Sequence, residues 1–194
     1  MIPLLLLAAG RSSRMRGADK LAEEVGGEPL LTRTARAACA ATAPVFVALP
    51  ALDHPRAALM AGLEVTPLAL PGSAEGLGGT VREGVAALPA CPAFLILAAD
   101  LPLIEAADIT ALLAARAAHP EALIWRGATP EGKGGHPLLF DASLRPAFAK
   151  LEGDTGAAPI VRANRARTHL VRYADDRALL DLDTPEDWAA FRSR

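Results

Sequence analysis

Leu6-Leu7-Ala8-Ala9-Gly10-Arg11-Ser12-Ser13-Arg14-Met15-Arg16-Gly17-Ala18-Asp19-Lys20 is the stretch that decides how this chain is read. The apolar run before it, Ile2 to Ala9, is far short of the roughly 20 residues that cross a bilayer. Its basic residues follow the run instead of preceding it, the reverse of a secretory leader. It reads as a buried strand. A strand that empties into small residues, then hydroxyls, arginines and a lysine, is a βα junction offering backbone N–H groups and cations to a phosphate chain. It is not a Walker A loop, since Lys20 precedes Leu21 and no Ser or Thr follows it, and the dinucleotide GxGxxG pattern is absent. The competing reading is an ordinary βα loop with a solvated basic face.

Working outward, short aliphatic runs alternate with longer alanine-rich amphipathic stretches, the pattern of a sheet covered by helices on both faces. Strands are expected at Pro3–Ala8, Val45–Leu49, Glu64–Leu68, Ala93–Ala98, Ala122–Trp125, Leu138–Phe140, His169–Arg172 and Leu179–Leu182. Helices are expected at Pro29–Ala41, Asp53–Ala61, Glu75–Leu88, Ala107–His119, Leu144–Lys150 and Ala157–Ala163, with a loop over Gly127–Gly135. Asp183-Thr184-Pro185-Glu186-Asp187 supplies a threonine cap, a proline at the first helical position and acids in the first turn, so a last helix runs to about Arg192. The fold expected is α/β: a Rossmann-like three-layer sandwich with a mostly parallel sheet, one domain over residues 1–194, and the site at the carboxyl ends of the first half of the sheet.

With 194 residues, 52% hydrophobic and 22% charged, the chain can bury one sizeable core. A net charge of -2 gives no broad reason to expect nucleic acid or an anionic membrane as partner, and 4% aromatic residues leave little for base stacking. The core should be aliphatic. Cys39 and Cys91 form no CxxC pair, which argues against a disulfide scaffold or structural zinc site and fits a reducing cytoplasm. A soluble, cytoplasmic monomer is expected.

Ala98-Ala99-Asp100-Leu101-Pro102 ends an apolar strand in a carboxylate at the sheet's carboxyl edge. One carboxylate there can hold Mg²⁺, which takes its remaining ligands from water and substrate phosphates; the plainer reading makes Asp100 a cap for the helix after Pro102. Asp181-Leu182-Asp183 repeats a carboxylate strand end, and alternation puts both acids on one side, unless Asp183 only starts the last helix.

Together these segments resemble the MobA-like NTP transferases, and among them the molybdenum cofactor cytidylyltransferases. The motifs are Leu7-Ala8-Ala9-Gly10-x-Ser12-x-Arg14-Met15-x-Gly17-x-x-Lys20-Leu21, Asp100-x-Pro102, Gly135-His136-Pro137, Gly153-Asp154-x-Gly156-Ala157 and Asp181-x-Asp183-Thr184-Pro185-Glu186-Asp187, in family order over nearly the whole chain. The resemblance implies that Leu7, Ala8, Ala9, Gly10, Arg11, Ser12 and Ser13 wrap a nucleotide, and that Arg14 and Lys20 neutralise its triphosphate. It also implies that Asp100 and Asp183 hold Mg²⁺, that Gly78, Gly79 and Thr80 lie near base and ribose, and that His136 and Asp154 line the side receiving the second substrate. For His136 a loop histidine bonded to backbone is the plainer alternative.

Arg14, Lys20 and Asp100 are thereby the expected catalytic set for transfer of CMP from CTP to a molybdopterin-type cofactor, with release of pyrophosphate. Guanylyl transfer and sugar-phosphate nucleotidyl transfer are the enzymatic alternatives; the guanylyl members tend to carry Gly-Pro-Leu-Ala-Gly where Gly76 to Arg82 stand here. The alternative of another class is a non-catalytic nucleotide-binding partner of a molybdoenzyme. Two departures are visible: one additional residue between Met15 and Lys20, and Ala158 where the family often has an arginine.

Overall fold

The computed structural model describes residues 1–193, and its core is one seven-stranded sheet. In chain order the elements are β1 (Leu4–Leu7), β2 (Glu24–Val25), β3 (Glu28–Pro29), α1 (Leu30–Ala41), β4 (Val45–Leu49), β5 (Val65–Ala69), α2 (Leu77–Ala87) and β6 (Ala93–Ala98). There follow α3 (Ala106–Ala118), β7 (Ile124–Ala128), β8 (Gly134–Asp141), α4 (Arg145–Phe148), α5 (Ala158–Ala163), β9 (Thr168–Arg172) and α6 (Pro185–Arg192). Strand order is β5-β4-β1-β6-β8-β7-β9. β5, β4, β1 and β6 run parallel, β8 is inserted antiparallel between β6 and β7, and β9 is parallel to β7.

The three layers follow from alternation along β1. Leu4 and Leu6 join the core beneath α1 and α3, while Leu5 joins the core beneath α2, α4 and α5. All three are fully buried, and each such leucine contributes about 1.5–3 kcal/mol of transfer free energy. In α1 the buried residues are Leu30, Leu31, Thr34, Ala35 and Ala38, a single stripe at helical spacing. The core is aliphatic apart from Trp125, Trp188, Tyr173 and a cluster in which Phe148 meets Phe94 and Phe140 edge-on at 5.2 and 5.0 Å. Among the described residues no helix is long and apolar enough to cross a membrane.

Four local expectations need correction. Leu179–Leu182 is no strand, because the N–H groups of Leu179 and Leu180 both turn back to the carbonyl of Asp176. Asp53–Ala61 is a 3-10 turn over Pro55–Met60, its bonds closing three residues back (Ala57 N–H to His54, Ala61 N–H to Ala58). The expected Gly127–Gly135 loop shrinks, since β7 and β8 extend into it from both sides. A small hairpin of β2 and β3 was not foreseen; Gly26 and Gly27, at φ 62° and 86°, form its turn.

Candidate active site

Chain leaving β1 is held from beneath by Arg56, whose side chain is 3% exposed. Its Nη1 donates to the carbonyls of Ala8 and Gly10 at 2.5 and 2.8 Å. Nε and Nη2 both lie 2.7 Å from the carboxylate of Asp19, and Nη2 also reaches the Ser12 hydroxyl at 3.1 Å. One planar fork thus ties the first residues of the loop to the last, a geometry lysine cannot reproduce. Ser12 sits in the left-handed region at φ 49°, which costs a non-glycine residue about 1–2 kcal/mol. Its hydroxyl donates to Asp19 and accepts from Arg56 and from the Lys20 N–H, contacts that offset that strain. Burial works to raise the Asp19 pKa, but hydrogen bonds from Arg56 and the Leu21 N–H outweigh it and hold the carboxyl below its usual range. Sequence reasoning missed Arg56 and Asp19; the available signal was one arginine opening the apolar run Arg56-Ala57-Ala58-Leu59-Met60.

Asp100 stands just past β6, and its backbone is clamped on every side. Ala99 N–H donates to Leu7, the Ala99 carbonyl accepts from Thr34, the Pro102 carbonyl accepts from Arg33, and the Asp100 carbonyl accepts from the Leu182 N–H. The last bond delivers the C-terminal acids. With Leu182 buried against Asp100, its neighbours Asp181 and Asp183 flank the same spot, and carboxylate oxygens of Asp100, Asp181 and Asp183 lie within 4.8 Å of one another. Helix α3 is capped by Glu105 and Asp108, so Asp100 is no helix cap. Nor does Asp183 cap α6: Thr184 does, in a capping box with Asp187.

Lys20 Nζ bridges the cluster, 2.5 Å from Asp100 and 2.6 Å from Asp183, and Arg14 pairs with Asp183 from the solvent side. Burial works to lower the Lys20 pKa, but Asp100 and Asp183 more than compensate and raise it. Asp181 is pushed up by burial and by the charges of Asp100 and Asp183; Asp183 is held down because Lys20 and Arg14 outweigh its burial.

A cavity of about 470 Å³ opens above this cluster, lined by Leu7, Ala9, Gly10, Arg11, Ser13, Lys20, Thr80, Asp100, His136 and Asp154, among others. That is a size suited to a small ligand. Ala8 and Ser12 lie behind this wall as supports, and Arg14 does not line the cavity but is tied to the cluster through Asp183. Gly78 and Gly79 also lie behind it and are buried: a Cβ at Gly79 would sit 2.1 Å from the Gly72 carbonyl, so their smallness lets the start of α2 press onto its neighbours. Thr80, which does reach the cavity, bonds back to the Gly76 carbonyl.

A second cavity, of about 730 Å³, adjoins the first, and Leu7, Leu77 and His136 line both. His136 belongs to β8 and not to a loop; its Nδ1 is buried without a partner. Burial holds the imidazole below its ordinary pKa against the charge of Asp100 and a hydrogen bond to the Ile96 backbone, the backbone bond the plainer reading expected, and Arg126 adds to the depression. Asp154 lies on the Asp100 side of this divide, its carboxylate accepting from the Leu77 N–H at 3.2 Å, and it does not line the second cavity. Ala158 does line it, together with Arg162 one turn further along α5.

A profile of the MobA-like NTP transferase domain matches residues 4–170. The chain belongs to that family. It is therefore a member of a family of nucleotidyltransferase enzymes, and the non-catalytic reading is set aside. It is 30% identical over 198 residues, 96% of each chain, to a probable molybdenum cofactor guanylyltransferase of Synechococcus elongatus. It is 31% identical over 147 residues to the bifunctional protein GlmU of Leifsonia xyli subsp. xyli, a match covering 73% of this chain and 30% of that protein's length. Among solved structures it superposes on Rv0371c of Mycobacterium tuberculosis H37Rv with TM-score 0.80 at 24% identity, covering 100% and 99% of the two chains. A manganese complex of the same protein superposes at TM-score 0.75 and 22% identity, covering 97% and 96%.

Proposed function

We propose that this chain transfers CMP from CTP to the phosphate of a molybdopterin-type cofactor, with Mg²⁺ and release of pyrophosphate. One observation carries the transfer reading: two ligand-sized cavities meet at Leu7, Leu77 and His136, and the one built from the β1 loop is also lined by Lys20 and by Asp100 of the carboxylate cluster. Nucleotidyl transfer needs two substrates side by side in just this way. The molybdopterin acceptor is supported by the whole-length relative named as a molybdenum cofactor guanylyltransferase and by the motif resemblance. Cytidyl preference is supported by the segment Gly76 to Arg82, which lacks the Gly-Pro-Leu-Ala-Gly of the guanylyl-transferring members, although Thr80 stands where the cytidylyl-transferring members usually carry a serine.

Carboxylates are hard oxygen donors, and three within reach of one point fit Mg²⁺ well, with Asp100 and Asp183 as the main ligands and Asp181 beside them. Bound there, the ion would supply charge neutralisation to the triphosphate. A phosphomonoester is already anionic near neutral pH, so it can attack the α-phosphorus without a general base. The bond formed joins acceptor oxygen to α-phosphorus; the bond broken is the α–β anhydride, whose electron pair leaves with pyrophosphate. The protein's task is then alignment and charge: Gly10, Arg11 and Ser13 cradle the phosphates, and Lys20 and Arg14 offset the charge that grows on the leaving group. His136, neutral and set between the cavities, separates and orients the two substrates.

Guanylyl transfer is the second reading, favoured by the name of the whole-length relative. Pyrophosphate release from CTP, GTP, ATP and UTP, each with molybdopterin and with a sugar phosphate, tests both. The proposal expects CTP with molybdopterin to lead by at least tenfold. GTP leading by that margin would replace it with the second reading, and a sugar phosphate leading would remove the acceptor assignment.

A further inference from the structure

We propose that Arg177, clamped to Asp108 on α3, is a positioning residue for the divalent-ion site: it sets how Asp181 and Asp183 face Asp100, and with it the affinity of the site for its ion. The proposal deepens the transfer reading and rests on its carboxylate metal site.

Among the described residues the chain between β9 and α6 forms neither strand nor α-helix, only a 3-10 turn over Asp176–Ala178. Such a segment has no ladder to fix it. Yet it must deliver carboxylates with little tolerance, because Mg²⁺ demands near-octahedral geometry with oxygens at about 2.1 Å.

Two hydrogen bonds tie this segment to the stretch that runs from Asp100 into α3. In front, the Leu182 N–H meets the Asp100 carbonyl at 3.2 Å. Behind, Arg177 Nη1 donates to both carboxylate oxygens of Asp108, at 3.2 and 3.4 Å. Asp100 and Asp108 belong to one continuous piece of chain, so the two ties fix the run from Arg177 to Leu182 at both ends against the element that carries the first carboxylate. Within that run the N–H groups of Leu179 and Leu180 close on the Asp176 carbonyl, at 2.9 and 3.0 Å, and make a compact turn that transmits a shift of Arg177 to Asp181 and Asp183.

The clamp is itself held. Nε and Nη2 of Arg177 grip the Asp175 carboxylate at 2.8 and 2.9 Å, which leaves Nη1 aimed at Asp108. Asp108 has a side chain 9% exposed, its carboxylate also accepts from the Glu105 N–H at 2.8 Å, and its carbonyl accepts from the Tyr173 hydroxyl at 3.2 Å. From below, a Cβ at Gly135 would lie 1.9 Å from the Ala178 carbonyl, so the turn rests directly on the backbone of β8. Glu105 and Asp108 complete the capping box of α3 between themselves. What Arg177 adds is the tie between helix and turn, and a planar fork can engage two carboxylates at once where a lysine ammonium cannot.

The test is Mn²⁺ binding to the full-length protein, read as free Mn²⁺ by electron paramagnetic resonance with and without CTP, beside the Mg²⁺ dependence of pyrophosphate release. Arg177→Lys keeps the charge but cannot span Asp175 and Asp108; Asp108→Asn keeps an oxygen for the Glu105 N–H but loses the ion pair. Each should weaken Mn²⁺ binding about tenfold and move the Mg²⁺ half-point by the same factor. The rate at saturating Mg²⁺ should stay within about twofold of the wild type, and CTP binding without metal should be unchanged. The double variant should bind no more weakly than either single one. Val45→Ala, buried at the far end of the sheet, loses stability through a cavity and should leave Mn²⁺ affinity unaltered. Wild-type Mn²⁺ affinity in a folded Arg177→Lys or Asp108→Asn protein, additive effects of the two, failure of both to fold, or an equal loss in Val45→Ala would overturn the proposal and leave the transfer reading standing. Absence of Mn²⁺ binding by the wild type beyond that of CTP alone would overturn the metal site of that reading and the proposal with it.

Discussion

On one side of His136, Lys20 and Arg14 both rest on carboxylates, and Arg56 satisfies its fork with Asp19, Ser12 and two carbonyls. On the other side Arg126, Arg162 and Arg165 face an aliphatic wall with no acid among its residues. The first cavity is thus organised before any substrate arrives: its charges already hold one another, and an incoming triphosphate exchanges internal partners for its own. The second cavity waits for its counter-charge. Where charges hold each other, single substitutions should damage rate and loop order together. Where they do not, substitutions should change affinity for one substrate alone.

The largest effect should come from Lys20→Ala, which removes a fixed cation from the leaving group. By analogy with loss of one preorganised donor, kcat should fall about 10²–10³-fold, with circular dichroism and thermal unfolding close to the parent. A drop confined to KM would place Lys20 in binding alone and blur the contrast.

Arg56 separates positioning from catalysis. Arg56→Ala leaves the Ala8 and Gly10 carbonyls and Asp19 without their partner and should cost about 2–3 kcal/mol of stability in denaturant titration. Arg56→Lys keeps the charge but cannot span both ends of the loop. It should fold, yet lose about tenfold in kcat/KM for the nucleotide, with KM for the acceptor unchanged. A Lys variant with full activity would show that charge alone, and not the fork, holds the loop.

The same contact gives a pH dependence with a definite sign. Because the Asp19 pKa is depressed in the folded protein, its stabilisation is complete above the unfolded value of about 3.9 and fades as pH falls through the lower folded value. Asp19→Asn should therefore narrow its stability deficit against the wild type as the pH of the denaturant titration is lowered below about 4.

The smallest effect belongs to the second cavity. Arg162→Ala should raise KM for the acceptor by about threefold, with kcat and KM for the nucleotide unaltered. A change in kcat would mean that the two cavities are not separable in the way their charge distribution implies.

The same asymmetry governs what the sequence reveals. β1, β4, β6 and α1 read directly, since apolar runs and a helical stripe are local signals, and the β1 loop and Asp100 stand at the strand ends where the alternation puts them. The delivery of Asp181 depends on a backbone bond between Leu182 and Asp100, residues far apart in the chain, and on a turn where alternation suggested a strand. Arg56 was hidden for a similar reason: its partners lie about 37 to 48 residues earlier, and nothing near it in sequence marks it. The second cavity was least legible, because Arg126, Arg162 and Arg165 converge only once β8 has inserted antiparallel between β6 and β7.

The most direct test of the account is a divalent-ion titration of nucleotidyl transfer by Asp100→Asn beside the wild type, read as pyrophosphate released. Asparagine keeps the shape and one carbonyl oxygen but removes the charge that would hold the ion. The account predicts a folded variant whose curve shifts to higher Mg²⁺ by at least about tenfold, with a maximal rate lowered about 10²-fold. A wild-type curve at a wild-type rate would contradict the assignment of the carboxylate cluster as the metal site.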